Sequence, residues 1–249
     1  MATNETVSVC IITCNEEKNI KRCLESIKWA REIIIVDSGS TDYTLTLASR
    51  YTNRIFRHPW QGFGPQKQYA VSLATSPWIL SLDADEVISP ELQTEIFETL
   101  KSPQYDSYAI PRKNYFGKIW IRHGGWYPDS VIRLFRKGKA SLSSDPVHER
   151  VISEGPVGCL RHPFLHYTSS DFNRRLEKEI QYGILKAQKI QNTRFPIFHC
   201  LLRPFWKFFF LYFIKSGWRD GKIGFLLAFA KSFGVIVTYA KLLTLEPTE

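Results

Sequence analysis

The sequence predicts an α/β domain built on a parallel sheet, followed by a helical segment. Three observations carry this. Over the first hundred residues, short apolar and β-branched runs alternate with segments of helical spacing, the grammar of strands joined by crossover helices. Those runs end in polar or acidic residues, Thr13, Asp37 and Asp83 among them. Beyond residue 171 the strand pattern stops and a basic, aromatic, helical pattern replaces it.

In chain order, Val7–Thr13 is the first expected strand and residues 17–28 the first helix, with Ile20, Cys23, Leu24 and Ile27 on one face. Residues 32–37 form a second strand ending in Asp37. Ser38-Gly39-Ser40-Thr41-Asp42 is a turn leading to a helix over 43–50, with Asp42 expected to cap it. Residues 54–57 are a short third strand, and the loop Trp60 to Pro65 precedes a helix over 66–74. Then comes Pro77-Trp78-Ile79-Leu80-Ser81-Leu82-Asp83-Ala84-Asp85-Glu86, an apolar run that breaks into two carboxylates spaced by one residue. Residues two apart in a strand share a face, so Asp83 and Asp85 are expected to project together where the strand ends. Ligands of such sheets bind beyond the carboxyl ends of the strands, where Asp37, Asp83 and Asp85 all fall. The bland alternative is an acidic loop in which Glu86 and Ser89-Pro90-Glu91 open the next helix.

Past residue 100 the alternation ends. Strands are expected at 108–111, 131–136 and from 147, with an aromatic loop over 120–129 that is long for a compact domain. Asp171 is placed to cap a helix over 172–189.

Composition narrows the classes. An apolar fraction of 44% and seven Trp exclude general disorder. Five cysteines, odd in number and without a Cys-x-x-Cys pair, argue against a disulfide framework or a zinc ribbon. The first residues lack a leader pattern, so a cytosolic chain without a signal peptide is expected. The net charge of +9 is uneven: residues 171–249 hold thirteen Lys and Arg against six Asp and Glu. That segment also contains Phe205-Trp206-Lys207-Phe208-Phe209-Phe210-Leu211-Tyr212-Phe213. Contiguous, mostly Phe aromatics among cations suit an anionic membrane surface better than nucleic acid, and no nucleic-acid partner is expected. Leu201–Ile214 is shorter than the roughly 20 residues a span requires. Residues 223–243 are long enough, but Lys231 interrupts them. Both read as interfacial helices, with a buried hairpin or an oligomer interface as alternatives.

The turn after the first strand, Thr13-Cys14-Asn15-Glu16-Glu17, contains no glycine, and no Walker A pattern occurs, so phosphates must be held otherwise. Carboxylates beside an apolar core suit a hard divalent cation, Mg²⁺ or Mn²⁺, shared with a ligand's phosphates.

Thr13-x-Asn15-Glu16, Val36 to Asp42, Gln66-Lys67-Gln68 and Leu82-Asp83-Ala84-Asp85-Glu86 resemble the family 2 glycosyltransferases of GT-A fold. Gly124-Gly125-Trp126-Tyr127-Pro128-Asp129, Arg133 to Arg136, Val147-His148-Glu149 and Gly217 to Gly221 resemble, more narrowly, the bacterial branch with the lipopolysaccharide-core β-1,4-glucosyltransferase. Gln68 departs from the Asn common in that branch. The resemblance implies a glycosyltransferase domain over 1–170, with residues 1–100 as the nucleotide-sugar half and 101–170 as the acceptor half. Residues 171–249 become a helical, membrane-associating extension. It implies that Asp37 accepts a hydrogen bond from the donor's base, with Thr13, Asn15 and Glu16 lining the same pocket. Asp83 would touch ribose or metal, Asp85 would hold the metal on the diphosphate, and Lys67 would neutralise phosphate. Thr13 and Asn15 equally suit a turn, and Lys67 equally suits a solvated helix face.

Inverting transfer needs a charge-stabilised diphosphate leaving group and a base for the acceptor hydroxyl. Glu149 is the expected base and Asp129 the second choice. Their alternatives are an ion pair with Arg150 and a turn acid after Pro128. His166 is a further metal or diphosphate ligand. Trp126, Tyr127 and Arg133 are assigned to the acceptor, with core packing as the alternative for the aromatics. The implied reaction moves a hexose, glucose from UDP-glucose by the branch resemblance, onto a membrane-anchored glycolipid such as the lipopolysaccharide inner core. The implied location is the inner face of the cytoplasmic membrane. The competing reading is a non-catalytic membrane-surface or nucleic-acid binding protein on a relic nucleotide fold.

Overall fold

The computed structural model describes residues 6–143, 150–168, 171–190 and 198–244, except for the side chain of His199. These fall into two compact units, residues 1–113 with 129–167, and residues 114–128 with 168–249.

The first unit opens with β1 (Val7–Thr13), α1 (Ile20–Glu25), β2 (Glu32–Asp37), α2 (Thr44–Ala48), β3 (Ile55–Arg57), α3 (Phe63–Ser72) and β4 (Trp78–Asp83). The strands β3, β2, β1 and β4 lie side by side and parallel, as the alternating pattern requires. Successive residues of these strands feed opposite faces. Val9, Ile11, Ile33, Ile35, Trp78, Leu80 and Leu82 enter one buried cluster, and Cys10, Ile12, Ile34, Val36 and Ile79 another. A sheet covered on both faces explains why the runs read as continuously apolar.

After β4 come β5 (Glu86–Val87), α4 (Pro90–Lys101), β6 (Ser107–Phe116), β7 (Ile119–Trp120), β8 (Ser130–Arg136), β9 (Ala140–Leu142), β10 (Val151–Ser153), β11 (Val157–Cys159) and β12 (Phe164–Thr168). β8 is antiparallel to both β4 and β6, so the sheet is mixed rather than wholly parallel. Ser89 caps α4 by accepting the Leu92 N–H, and Pro90 occupies the first helical position, where its missing donor is harmless. Glu86 therefore belongs to a strand rather than to this helix.

α3 begins three residues before its expected start. Gly62 ahead of it has φ +108°, a left-handed value that favours glycine. Pro65 then falls within the first turn, where an N–H would have no helical partner. The strand expected from residue 147 falls partly on residues outside those described, and β10 begins at Val151.

The second unit contains α5 (Phe172–Lys189), α6 (His199–Phe209), a π-helical turn (Phe210–Ile214), a 3-10 turn (Gly217–Asp220) and α7 (Gly221–Thr244). Asp171 accepts the Asn173 N–H at the start of α5, as its position predicts. Close crossing of α5 and α7 depends on glycines: a Cβ on Gly183 would stand 2.7 Å from the Gly234 carbonyl oxygen. Lys231, which interrupts the apolar sequence of α7, donates to Glu179 on α5 at 3.0 Å. Burial lowers the Lys231 pKa in spite of that carboxylate. Asp220 accepts the backbone N–H groups of Arg122 and His123 and pairs with His123 Nδ1 at 2.8 Å, tying the 120s loop into this unit. The segment Gly217–Thr244, 28 residues, is by length and composition able to cross a membrane, yet 44% of its most apolar stretch is buried.

Candidate active site

Parallel strands in register deliver their last residues to a common rim. Thr13 pairs in register with Asp37, and Ile12 with Asp83, so β2, β1 and β4 end at one edge of the sheet, with Thr13 and Asp37 on one face and Asp83, beside Ile12, on the other.

Asp37 is buried and engages its own turn. It accepts the N–H groups of Gly39 at 2.9 Å and Ser40 at 3.0 Å, together with the Ser40 hydroxyl. A carboxylate offers about four acceptor positions, so one further donor can be received. The Thr13 hydroxyl is buried and, among the described residues, has no hydrogen-bond partner, an orphan group of the kind a ligand satisfies. Asn15 holds φ +55°, and its side-chain oxygen accepts the Thr41 N–H at 2.9 Å, so it shapes the turn. Glu16 accepts from the Asn19 side chain at 2.7 Å. Asp42 accepts the Thr44 N–H at 2.9 Å from one residue ahead of the N-cap position of α2, which is Tyr43 and carries no side-chain cap.

Around Asp83 lies a charge cluster that sequence reasoning found only in part. Asp83 pairs with Lys67 Nζ at 2.8 Å through one oxygen and with Arg133 Nη2 at 2.8 Å through the other. Arg133 also donates to Glu86 at 2.5 Å, and the second Glu86 oxygen accepts the Asp83 N–H at 3.0 Å. Lys67 is only 3% exposed, which removes the solvated-helix alternative. Its neighbour Gln66 is fully buried, bonded to His58 and Ser38, and so fixes the face that α3 presents. Gln68 is a peripheral contact, accepting the Leu142 N–H at 3.3 Å.

Two cations against two carboxylates make the cluster internally neutral. Burial would raise the Asp83 pKa, but Lys67 and Arg133 outweigh it and hold the carboxyl well below the usual carboxylate range. Glu86 goes the other way: burial raises its pKa against the pull of Arg133, with Asp83 adding repulsion. Arg133 resists burial because Glu86 and Asp83 stabilise its charge, which raises its pKa. The guanidinium expected on the acceptor side is thus committed to Asp83 and Glu86. Glu86 was the residue missed; its signal was an acid three positions after Asp83, close enough to close a tight turn.

That turn also changes how Asp85 is delivered. β4 ends at Asp83, so strand alternation does not place Asp85; the turn does. β12 pairs with β5, setting His166 opposite Glu86, and His166 Nε2 reaches Asp85 at 3.3 Å. Cis ligands of one octahedral cation with bonds of about 2.0–2.1 Å lie about 3 Å apart, so this spacing fits a shared ion. Among the described residues no three His, Cys, Asp or Glu side chains form a closed metal cage. Asp85 and His166 would therefore hold a cation whose remaining positions are filled by water or phosphate. Asp83, proposed as another ligand, has both oxygens engaged by Lys67 and Arg133.

On the acceptor side, Asp129 is bound by Arg112 through Nε at 2.9 Å and Nη2 at 2.6 Å. Glu149 lies outside the described residues. In the second unit Trp126 packs against Phe116, Ile121 and Leu227, with the Arg175 guanidinium 5.0 Å from its ring centre. Tyr127 is exposed and meets Trp120 edge-on at 5.5 Å.

Residues 8–161 match the family described as Glycosyl transferase family 2. The chain belongs to that family and is a glycosyltransferase. It is 34% identical over 251 residues to the lipopolysaccharide core biosynthesis glycosyltransferase LpsC of Rhizobium meliloti, spanning 95% of this chain and 91% of that one. An uncharacterized glycosyltransferase of Rickettsia felis is 30% identical over 257 residues, 96% of this chain and 89% of the relative. Among solved structures, TarS from S. aureus in complex with UDP-GlcNAc has a TM-score of 0.50 at 16% identity, covering 87% of this chain and 76% of that one. The architecture is the GT-A fold with a C-terminal helical extension.

Proposed function

We propose that this glycosyltransferase carries out metal-dependent, inverting transfer of a hexose from a UDP-sugar, glucose by the branch resemblance, to a membrane-anchored glycolipid of the lipopolysaccharide inner core. The observation that carries the reading is the sheet edge at which β1, β2 and β4 end in Thr13, Asp37 and Asp83. There a buried orphan hydroxyl and a partly unsatisfied carboxylate lie beside a turn bearing Asp85 against His166. The likeness to LpsC supports the lipopolysaccharide assignment.

In this scheme Thr13 and Asp37 receive the donor's nucleoside, with Asn15 and Glu16 shaping that pocket. Asp85 and His166 hold Mg²⁺ or Mn²⁺, whose charge stabilises the departing diphosphate. Lys67 and Arg133 fix Asp83, and with it the turn that carries Asp85. Glu149 is the base for the acceptor hydroxyl, with Asp129 second because Arg112 already engages it. Tyr127 and Trp126 serve the acceptor sugar. The extension rests on the inner face of the cytoplasmic membrane through an apolar stripe of α6, where Leu201, Phe205 and Trp206 are 77%, 67% and 61% exposed.

Asp85→Ala tests the scheme. The variant should keep its circular dichroism spectrum, lose the melting-temperature rise that UDP gives with Mn²⁺, and transfer sugar at least about a hundredfold more slowly. Full activity in this variant would sink the proposal.

A further inference from the structure

The three long helices of the second unit border a half-open cavity that the transfer chemistry does not use. Its volume is about 430 Å³, within the roughly 300–1,000 Å³ typical of small-molecule sites. Each helix contributes one helical stripe: Lys186 and Ile190 from α5, Arg203, Trp206 and Lys207 from α6, and Val235, Thr238 and Tyr239 from α7. Spacings of three and four residues are what set side chains on one face.

Among the described residues, the lining contains three cations and no acid. Among the described residues, neither Lys186 nor Lys207 forms an ion pair with a carboxylate. Glu179, the acid of α5 nearest the helix crossing, is engaged by Arg175 and Lys231. Arg203 is oriented by donating to the Tyr239 hydroxyl and lies 5.3 Å from its ring centre. Lys186 and Arg203 are exposed and Lys207 is half-buried, so the groove presents positive charge to solvent, where an anion is attracted. A planar guanidinium flanked by two ammonium groups matches the oxygens of a phosphate.

The surroundings indicate where that phosphate comes from. Trp206 lines the cavity and is also exposed, beside Leu201, Leu202 and Phe205 on α6. A phosphate whose attached groups are acyl chains satisfies both halves of this surface at once. We propose that the cavity is a discrete binding site for the phosphate headgroup of an anionic phospholipid, with Lys186, Arg203 and Lys207 as its ligands. The proposal rests on the membrane-surface reading above and goes beyond it. Diffuse attraction of a basic segment is indifferent to which lysines it uses, whereas a site is not.

The test is co-sedimentation of the full chain with phosphatidylcholine vesicles, with and without phosphatidylglycerol. Three proteins are compared: wild type, Lys186→Glu/Lys207→Glu, and Lys178→Glu/Lys222→Glu, which makes the same charge change at exposed lysines of the same unit that do not line the cavity. The expected result is phosphatidylglycerol-dependent binding that the cavity pair weakens about tenfold or more beyond the control pair, from two lost charge-assisted bonds. Should charge reversal unfold the protein, Lys186→Gln/Lys207→Gln gives the same comparison. Equal losses in both pairs, or equal binding to both vesicle types, would overturn the site while leaving membrane attachment standing. No binding to any vesicle would overturn both.

Discussion

Replacing Arg133 by methionine probes the charge cluster at the member that bridges both carboxylates. Methionine keeps an unbranched stem but offers no donor, so Glu86, which has no solvent exposure, and Asp83 lose the cation between them. Breaking a buried pair by removing one partner costs about 3–5 kcal/mol, and two bridged acids place the expectation in the upper part of that range. The deficit should depend on pH in a defined direction. Burial already raises the Glu86 pKa, with Arg133 as the largest opposing influence. Without Arg133 it rises further, so the folded state binds a proton that the unfolded chain releases. Stability then falls as pH rises through that window, and the deficit shrinks on going from about pH 7 to about pH 5. Urea denaturation midpoints of wild type and variant at both pH values measure this. Adding Glu86→Gln to the variant should restore about 1–3 kcal/mol by removing the stranded charge. A deficit under about 1 kcal/mol at neutral pH, or one that grows on acidification, would refute the reasoning.

Two further predictions follow from packing and charge. Asp83 is held well below the ordinary carboxylate range, so its ionised form stabilises the folded state above the unfolded value of about 3.9, and that contribution is lost as pH falls below it. Wild type should therefore lose melting temperature faster than Asp83→Asn between about pH 4 and pH 2; parallel curves would contradict the assigned cause. Gly183→Ala should destabilise by about 1–3 kcal/mol, because its Cβ would meet the Gly234 carbonyl oxygen at 2.7 Å. An unchanged denaturation midpoint would show that α5 and α7 separate at no cost.

The legible parts of this fold were those with enough residues to show a period. β1, β2 and β4 are six or seven residues long, and α5, at eighteen, has the bounds its spacing predicts. β5 and β7 have two residues each and β11 three, too few to display alternation. β5 nevertheless matters, because its pairing with β12 brings His166 to Asp85. Nothing local to either segment announces that partner.

The chain's own order of residues determined the α/β class, the rim of Thr13, Asp37 and Asp83, the family, and the change to helix after residue 171. All are properties of strand length, side-chain period and motif, which are local. Tertiary structure alone decided that Lys67 is buried rather than solvated, that Arg133 serves Asp83 and Glu86, and that Lys231 is matched by Glu179. An ionised side chain is stable in an apolar interior only when an opposite charge meets it. Here the partners stand 16, 47 and 52 positions away in the chain, brought together by the packing of α3 on the sheet, β8 on β4, and α5 on α7.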